Sequence, residues 1–70
     1  MVIPMNRDVV FIVACNEDGC GDTVEAVFAR LLDAVRYIDA HYVSWDYCDC
    51  GLYARRRGSL TVFVMGWEVA

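Results

Sequence analysis

Lysine is missing from this sequence, and all six of its basic residues are arginines. Ten acidic residues outnumber them, which gives a formal net charge of −4 at pH 7. A protein that binds DNA or RNA by general electrostatics needs a basic surface to neutralise phosphates. The composition therefore argues against direct nucleic-acid binding, whereas it permits contact with a basic surface on a partner protein.

Catalytic motifs are scarce as well. Histidine occurs once, as His41, and the sequence has no glycine-rich phosphate loop and no nucleophile next to a general base. A chain of 70 residues also has little volume in which to enclose a water-excluding pocket. We predict that the protein is not an enzyme, and that His41 lies at the surface near the end of a helix.

Long apolar runs are the third feature that is missing. The run from Val9 to Ala14 is shorter than the ~7–15 residues of a signal-peptide core, and Asp8 directly precedes it. No run approaches the ~20 apolar residues of a membrane span. We therefore predict a cytoplasmic protein without membrane association, in a compartment where thiols stay reduced.

Hydrophobic residues are in excess, at 59% compared with about 45–50% in ordinary domains. The chain is predicted to form one domain, residues 1–70, in which Met1–Arg7 is a short tail. A domain of this size buries only about 60% of its unfolded surface. Part of the apolar excess is therefore expected at the surface, which favours a homodimer or docking onto a larger protein.

Hydrophobic periodicity predicts the element order β-α-β-β, an α+β fold with one helix packed on a three-stranded mixed or antiparallel sheet. The helix is predicted from Asp22 to Tyr37, because apolar residues recur there at helical spacing and Asp22 with Glu25 resembles a capping box. Arg55–Ser59 is predicted as the tip of the hairpin before the last strand. The predicted strands are Val9–Cys15, Val43–Tyr47 and Leu60–Trp67.

Four cysteines form two pairs in the sequence, Cys15 with Cys20 and Cys48 with Cys50. Each pair lies close to the end of a predicted strand, so the four thiols would converge if those strands were parallel neighbours. The spacings Cys-x4-Cys and Cys-x-Cys differ from the Cys-x2-Cys knuckles of structural zinc sites. Reduced, metal-free thiols are the leading prediction, and the alternatives are a four-cysteine zinc site and a disulfide or redox role.

A single helix covers one face of a sheet, whereas both faces of the predicted sheet are apolar. The uncovered face is therefore predicted to bind a protein partner. The arginines of the predicted hairpin tip are expected to orient that partner at the rim. The predicted contact residues are Trp45, Tyr47, Phe63, Trp67, Arg55, Arg56 and Arg57.

These features predict a small acidic interaction module without enzymatic activity. One concrete version is an inhibitor encoded by a phage or mobile element, of the anti-CRISPR kind, which blocks a larger nucleic-acid-handling protein. The alternatives are a zinc protein built on the four cysteines and a structural subunit of a homo-oligomer. No cofactor is predicted unless the cysteines bind zinc.

Overall fold

The structure, a computed structural model, describes residues 8–69, apart from the side chain of Asp8. The predicted tail, Met1–Arg7, lies outside the described residues. The described chain forms five strands and one helix. In chain order these elements are β1 (Asp8–Glu17), β2 (Asp22–Phe28), α1 (Leu31–His41), β3 (Asp46–Tyr47), β4 (Leu52–Arg57) and β5 (Leu60–Val69).

All five strands belong to one sheet with the order β2-β1-β5-β4-β3, and every neighbouring pair is antiparallel. The predicted β-α-β-β fold with a three-stranded sheet is therefore wrong. Two of its strands are nevertheless present, because Val9–Cys15 lies within β1 and Leu60–Trp67 lies within β5. These long central strands pair with each other from Asp8↔Val69 to Glu17↔Leu60. The crossover that would have made the first two predicted strands parallel does not occur.

The predicted helix from Asp22 to Tyr37 is wrong in its first half, which forms β2. The helix α1 begins nine residues later, at Leu31, and ends at His41. Of the strand predicted at Val43–Tyr47, the last two residues form β3. Within residues 8–69, the 11-residue helix α1 is too short to span a bilayer.

A β-bulge in β2 explains why this strand resembles a helix in the sequence. Ala14 pairs with Val24 and Ile12 pairs with Val27, so a step of two residues on β1 matches a step of three on β2. Glu25 is the extra residue of the bulge. Val24 and Val27 therefore share one face of the sheet although they are three residues apart, which is also the spacing of an amphipathic helix.

The hairpin between β4 and β5 is tighter than predicted. Arg57 is the last residue of β4 and pairs with Leu60, so the turn consists of Gly58 and Ser59. Gly58 has a φ of +61°, and glycine at the first central position is typical of a type II′ turn. The prediction that Arg55–Ser59 forms the tip is therefore wrong for its three arginines, which belong to β4.

The core lies between α1 and one face of the sheet. Ala34 and Ile38 of α1 pack there against Val13, Val62 and Val64, and all five side chains are buried. The apolar residues that recur at helical spacing in the predicted helix contribute less to the core than expected. None of the following is fully buried: Val27, Phe28, Leu31 and Val35.

Candidate functional site

The face of the sheet opposite α1 carries a continuous apolar surface, which we call the open face. Its central residues are paired across β1 and β5, as Val10↔Trp67, Ile12↔Met65 and Ala14↔Phe63. Successive side chains of a strand alternate between faces, and Val13 and Val64 point to the helix side. The open face consists of Val10, Ile12, Ala14, Val24, Val27, Phe63, Met65 and Trp67.

No helix or strand within residues 8–69 packs over the open face, and the loop before β4 touches only its edge, where Gly51 contacts Phe63. Val24, Val27 and Trp67 retain 57%, 55% and 60% of their accessible surface. Four further members are half-buried by their neighbours on the sheet, whereas Ala14 is fully buried beneath them. An apolar patch that spans three strands is larger than the scattered apolar residues of an ordinary surface, and such patches mark interaction sites.

Polar residues close one end of the open face with contacts to each other. Arg56 donates hydrogen bonds to Asp18 over 2.8 Å and to the Thr61 hydroxyl over 3.1 Å. Asn16 donates to Asp22 over 2.9 Å. The two turns at this end are also joined, because the Asp18 amide donates to the Ser59 carbonyl over 3.1 Å. Arg56 and Asp18 therefore neutralise each other at this border, whereas the Asp22 carboxylate accepts its hydrogen bond from a neutral amide. The apolar centre carries no charge.

The structure divides the predicted contact aromatics between the two faces. Phe63 and Trp67 belong to the open face. Trp45 lies on the helix side, half-buried and in edge contact with Tyr42 at 4.7 Å between ring centroids. Tyr47 pairs with Arg55 on that same side and is 82% exposed. The predicted grouping of all four rings on the uncovered face is corrected, because β3 and the turn before it fold toward α1.

Arg55 is a buried residue and keeps only 6% of its accessible surface. One guanidinium nitrogen forms an ion pair with Asp39 of α1 at 2.7 Å and also donates to the Tyr47 hydroxyl at 3.1 Å. The other donates to the carbonyls of Tyr42 and Val43, at 3.0 and 3.2 Å. The guanidinium also lies 4.5 Å from the centre of the Tyr47 ring. Arg55 therefore fastens β4 to the end of α1 instead of standing at a rim.

The three consecutive arginines occupy three environments. Arg55 points to the helix side and Arg56 to the open face, where it is held by Asp18. Arg57 is exposed at the last position of β4. The alternation of a strand separates their side chains, so they do not form the concentrated positive tip that the sequence predicted.

Glu25 gathers a small polar cluster on the helix side. The bulge brings its carboxylate within hydrogen-bonding distance of two hydroxyls, those of Tyr37, at 3.3 Å, and Tyr42. Burial, followed by the hydrogen bond with Glu25, raises the pKa of Tyr42 well above its ordinary value of 10.0. Burial and the carboxylates of Glu25 and Glu17 likewise raise the pKa of the Cys15 thiol. Exposed His41 stacks on this cluster through Tyr37, with ring centroids 4.2 Å apart.

The four cysteines do not converge. Cys48 and Cys50 form a disulfide, so the prediction of reduced thiols is wrong for this pair. Cys15 and Cys20 are free, and Cys15 on β1 is separated from the disulfide by β5 and β4. Within residues 8–69, no three histidine, cysteine or acidic side chains are grouped closely enough to hold a metal ion. The alternative zinc site on Cys15, Cys20, Cys48 and Cys50 is not assembled in this fold.

Pocket-like concavities do not occur among the described residues. Comparison with protein-family models, with curated proteins and with solved structures finds no match for this chain. Function is therefore inferred from the geometry of the chain alone.

Six residues of the open face are absent from the predicted contact residues, and two of them, Val24 and Val27, were also placed in the wrong element. Both were assigned to a helix that would have buried them, whereas the structure exposes more than half of each. A signal for the strand was present, since the segment from Asp22 to Phe28 contains three β-branched residues and follows a turn with two glycines.

Proposed function

We propose that this protein is a non-enzymatic interaction module whose open face binds the open face of a second copy of the same chain. The observation that supports the proposal is the exposure of Val24, Val27 and Trp67 on a sheet that has a helix on its other face. Domains commonly bury both apolar faces of a sheet against further layers. A second copy would supply the missing layer and produce a sandwich of two sheets with a helix on each outer side.

Charge favours a second copy as the occupant in spite of the acidic net charge of the chain. Face-to-face association usually brings like charges together when a protein carries a charge of −4. The open face reduces this cost because its eight residues are apolar and the ion pair between Arg56 and Asp18 neutralises part of its border. A twofold interface uses the same surface on both copies, so an uncharged surface is compatible with itself.

The area of the open face sets the expected strength of the dimer. The open face spans the three strands β2, β1 and β5, which together are about 14 Å wide, and seven residues of strand are about 23 Å long. Two such faces bury roughly 650 Å² in total, whereas specific interfaces begin at about 1,000 Å². We therefore expect a weak, reversible dimer that forms at high micromolar to millimolar concentration, not an obligate one.

Two matched lysine substitutions test the proposal. Val27 on the open face and Leu32 on α1 are 55% and 56% exposed, so each can be replaced by lysine at little cost in stability. We expect Val27→Lys to weaken self-association at least tenfold, because it buries an unpaired charge in the interface. Leu32→Lys should associate like the wild type. Sedimentation equilibrium from micromolar to millimolar concentration measures both.

Three results would contradict the proposal. A wild-type protein that remains monomeric at millimolar concentration excludes the second copy as the occupant. Equal association of Val27→Lys and wild type excludes the open face. Loss of association in Leu32→Lys instead would assign the interface to α1. Docking onto a larger, nucleic-acid-handling protein, including the anti-CRISPR version, stays a prediction from the acidic composition.

A further inference from the structure

The disulfide Cys48–Cys50 lies in the loop that joins β3 to β4. Its two Cα atoms are 5.3 Å apart, a separation that natural disulfides adopt. Cys50 is exposed to solvent, whereas Cys48 is half-buried. A thiolate approaching from solvent therefore reaches one sulfur more readily than the other.

We propose that Cys48–Cys50 is a thiol–disulfide exchange site that reacts reversibly with thiolates of small molecules or proteins. This inference goes beyond the interaction function and does not depend on the open face. The incoming thiolate attacks Sγ of Cys50, a new S–S bond forms, and the Cys48–Cys50 bond breaks. The bonding electrons leave with Sγ of Cys48, which becomes a thiolate. A second thiolate then attacks the outer sulfur of the mixed disulfide and releases Cys50.

The electrons balance over these two steps. Two external thiols are oxidised to one external disulfide, and Cys48 and Cys50 are reduced to two thiols by the same two electrons. The reverse reaction starts from the Cys48 and Cys50 thiols and an external disulfide. The external thiol is the reductant in one direction, and the external disulfide is the oxidant in the other.

A hydrogen bond in the loop determines which sulfur leaves. The backbone N–H of Cys50 donates to Sγ of Cys48 over 3.3 Å. This contact stabilises the negative charge that Sγ of Cys48 acquires when the disulfide opens, and better-stabilised thiolates leave faster. Exposure and hydrogen bonding thus agree, because both direct the attack to Cys50 and the departure to Cys48.

Contacts that do not involve the disulfide hold the loop in place. The Cys48 amide donates to the Ala54 carbonyl at 3.0 Å. Gly51 packs so closely on Phe63 that an added Cβ would lie 3.1 Å from the Phe63 Cβ. Because neither contact involves a cysteine sulfur, we expect both to persist after reduction, so that the two thiols stay close together and the disulfide re-forms readily.

The two free cysteines are unsuited to the same reaction. Cys15 is half-buried, and carboxylates beside it disfavour its thiolate, the form that attacks a disulfide. Cys20 is exposed, but its turn adjoins the Gly58–Ser59 turn, at the other end of β4 from Cys50. The length of β4 separates the two sites by roughly 20 Å. Cys20 is therefore a suitable control, because it is an exposed cysteine that lies outside the exchange site.

The test is to treat the oxidised protein with reduced glutathione, quench with acid and locate the adducts by peptide mass spectrometry. We expect the early adduct on Cys50 to exceed that on Cys48 on the order of tenfold. Addition of oxidised glutathione should restore the Cys48–Cys50 disulfide. A Cys20→Ser variant should show the same reaction. Cys48→Ser has no disulfide for reduced glutathione to attack, so it is treated with oxidised glutathione instead, and it should retain a stable adduct on Cys50 because Cys48 is no longer there to displace the glutathione.

Circular dichroism in the near ultraviolet distinguishes exchange from unfolding during the same experiment. The proposal requires the aromatic signal to persist when Cys48 and Cys50 are reduced. A disulfide that resists millimolar glutathione, an adduct mainly on Cys48, or loss of the aromatic signal on reduction would each overturn it. A change in rate on Cys20→Ser substitution would also do so, since it would implicate a cysteine outside the site.

Discussion

Arg55 connects β4 to α1 through an ion pair with Asp39 and hydrogen bonds to the chain that follows the helix. We expect Arg55→Ala to lower the free energy of unfolding by about 2–3 kcal/mol, because it removes a buried charge with several partners. The loss stays below that of a fully buried pair, since the side chain of Asp39 is 57% exposed. Arg55→Lys should lose part of this energy, because an ammonium group cannot contact these partners as a planar fork does.

Arg57, two positions along the same strand, is the matched control. Its side chain is exposed, so Arg57→Ala should change the free energy of unfolding by less than about 0.5 kcal/mol. Urea denaturation of both variants provides the comparison. Equal destabilisation by the two substitutions would show that the Arg55–Asp39 contact contributes nothing specific.

Tyr42 makes the free energy of unfolding depend on pH in the alkaline range. Its pKa is raised in the folded protein by burial and by the bond to Glu25, whereas in the unfolded chain it titrates near 10. Below pH 10 the Tyr42 hydroxyl is protonated in both the folded and the unfolded protein, and its full contribution to the free energy of unfolding is present. Above pH 10 the unfolded chain releases its proton first, so stability falls as pH rises. The raised pKa values of Cys15 and Tyr37 act in the same direction.

A Tyr42→Phe variant isolates the contribution of this hydroxyl. Its melting temperature should decline less steeply than that of the wild type between pH 9 and 11, although it starts from a lower value because the bond to Glu25 is lost. Thermal melts across this range measure the difference. Parallel declines for the two proteins would mean that Tyr42 is not responsible for the alkaline loss.

Strand β2 shows where sequence periodicity fails at the scale of the element. The long central strands β1 and β5 could be predicted, because uninterrupted runs of β-branched residues are typical of strands buried on both faces. The bulge at Glu25 replaces the period of two by a local step of three, and the pattern of a strand then matches that of a helix. Hydrophobic periodicity alone therefore does not distinguish this bulged strand from an amphipathic helix.

The β3–β4 hairpin could not be predicted for a different reason. β3 has two residues, too few for any period to be visible. The register between β4 and β5 shifts between Leu52 and Arg55, and Tyr53 within this shift has a φ of +50°, a conformation uncommon for a residue with a side chain. The burial of Arg55 follows from this pairing. Nothing in the sequence distinguishes Arg55 from its neighbours Arg56 and Arg57. Only the tertiary contacts show that Arg55 is the buried one.

At the scale of the molecule, the sequence predicted that one apolar face of the sheet would remain uncovered. One helix cannot cover two apolar faces, and Phe63 and Trp67 lie on the face that α1 leaves open. Trp45 and Tyr47 were misplaced because their side depends on how β3 joins the sheet. Val24 and Val27 were missed because of the bulge.

The sheet order β2-β1-β5-β4-β3 becomes a simple meander if the chain is read from a different starting point. Beginning after Val43, the strands follow one another as β3, β4, β5, β1 and β2, and each pairs with the next. In the natural order, Asp8 and Val69 lie near opposite ends of the sequence, so their pairing closes a loop that contains almost every residue.

A circular permutant should therefore fold faster than the natural chain, because its longest ladder becomes local and its contact order falls. The variant joins Ala70 to Met1 and opens the chain between the exposed residues Val43 and Ser44, with no residue added or lost. Stopped-flow refolding of the two proteins under the same conditions compares their rates. The same rate in both would mean that closing β1 onto β5 is not the step that limits folding.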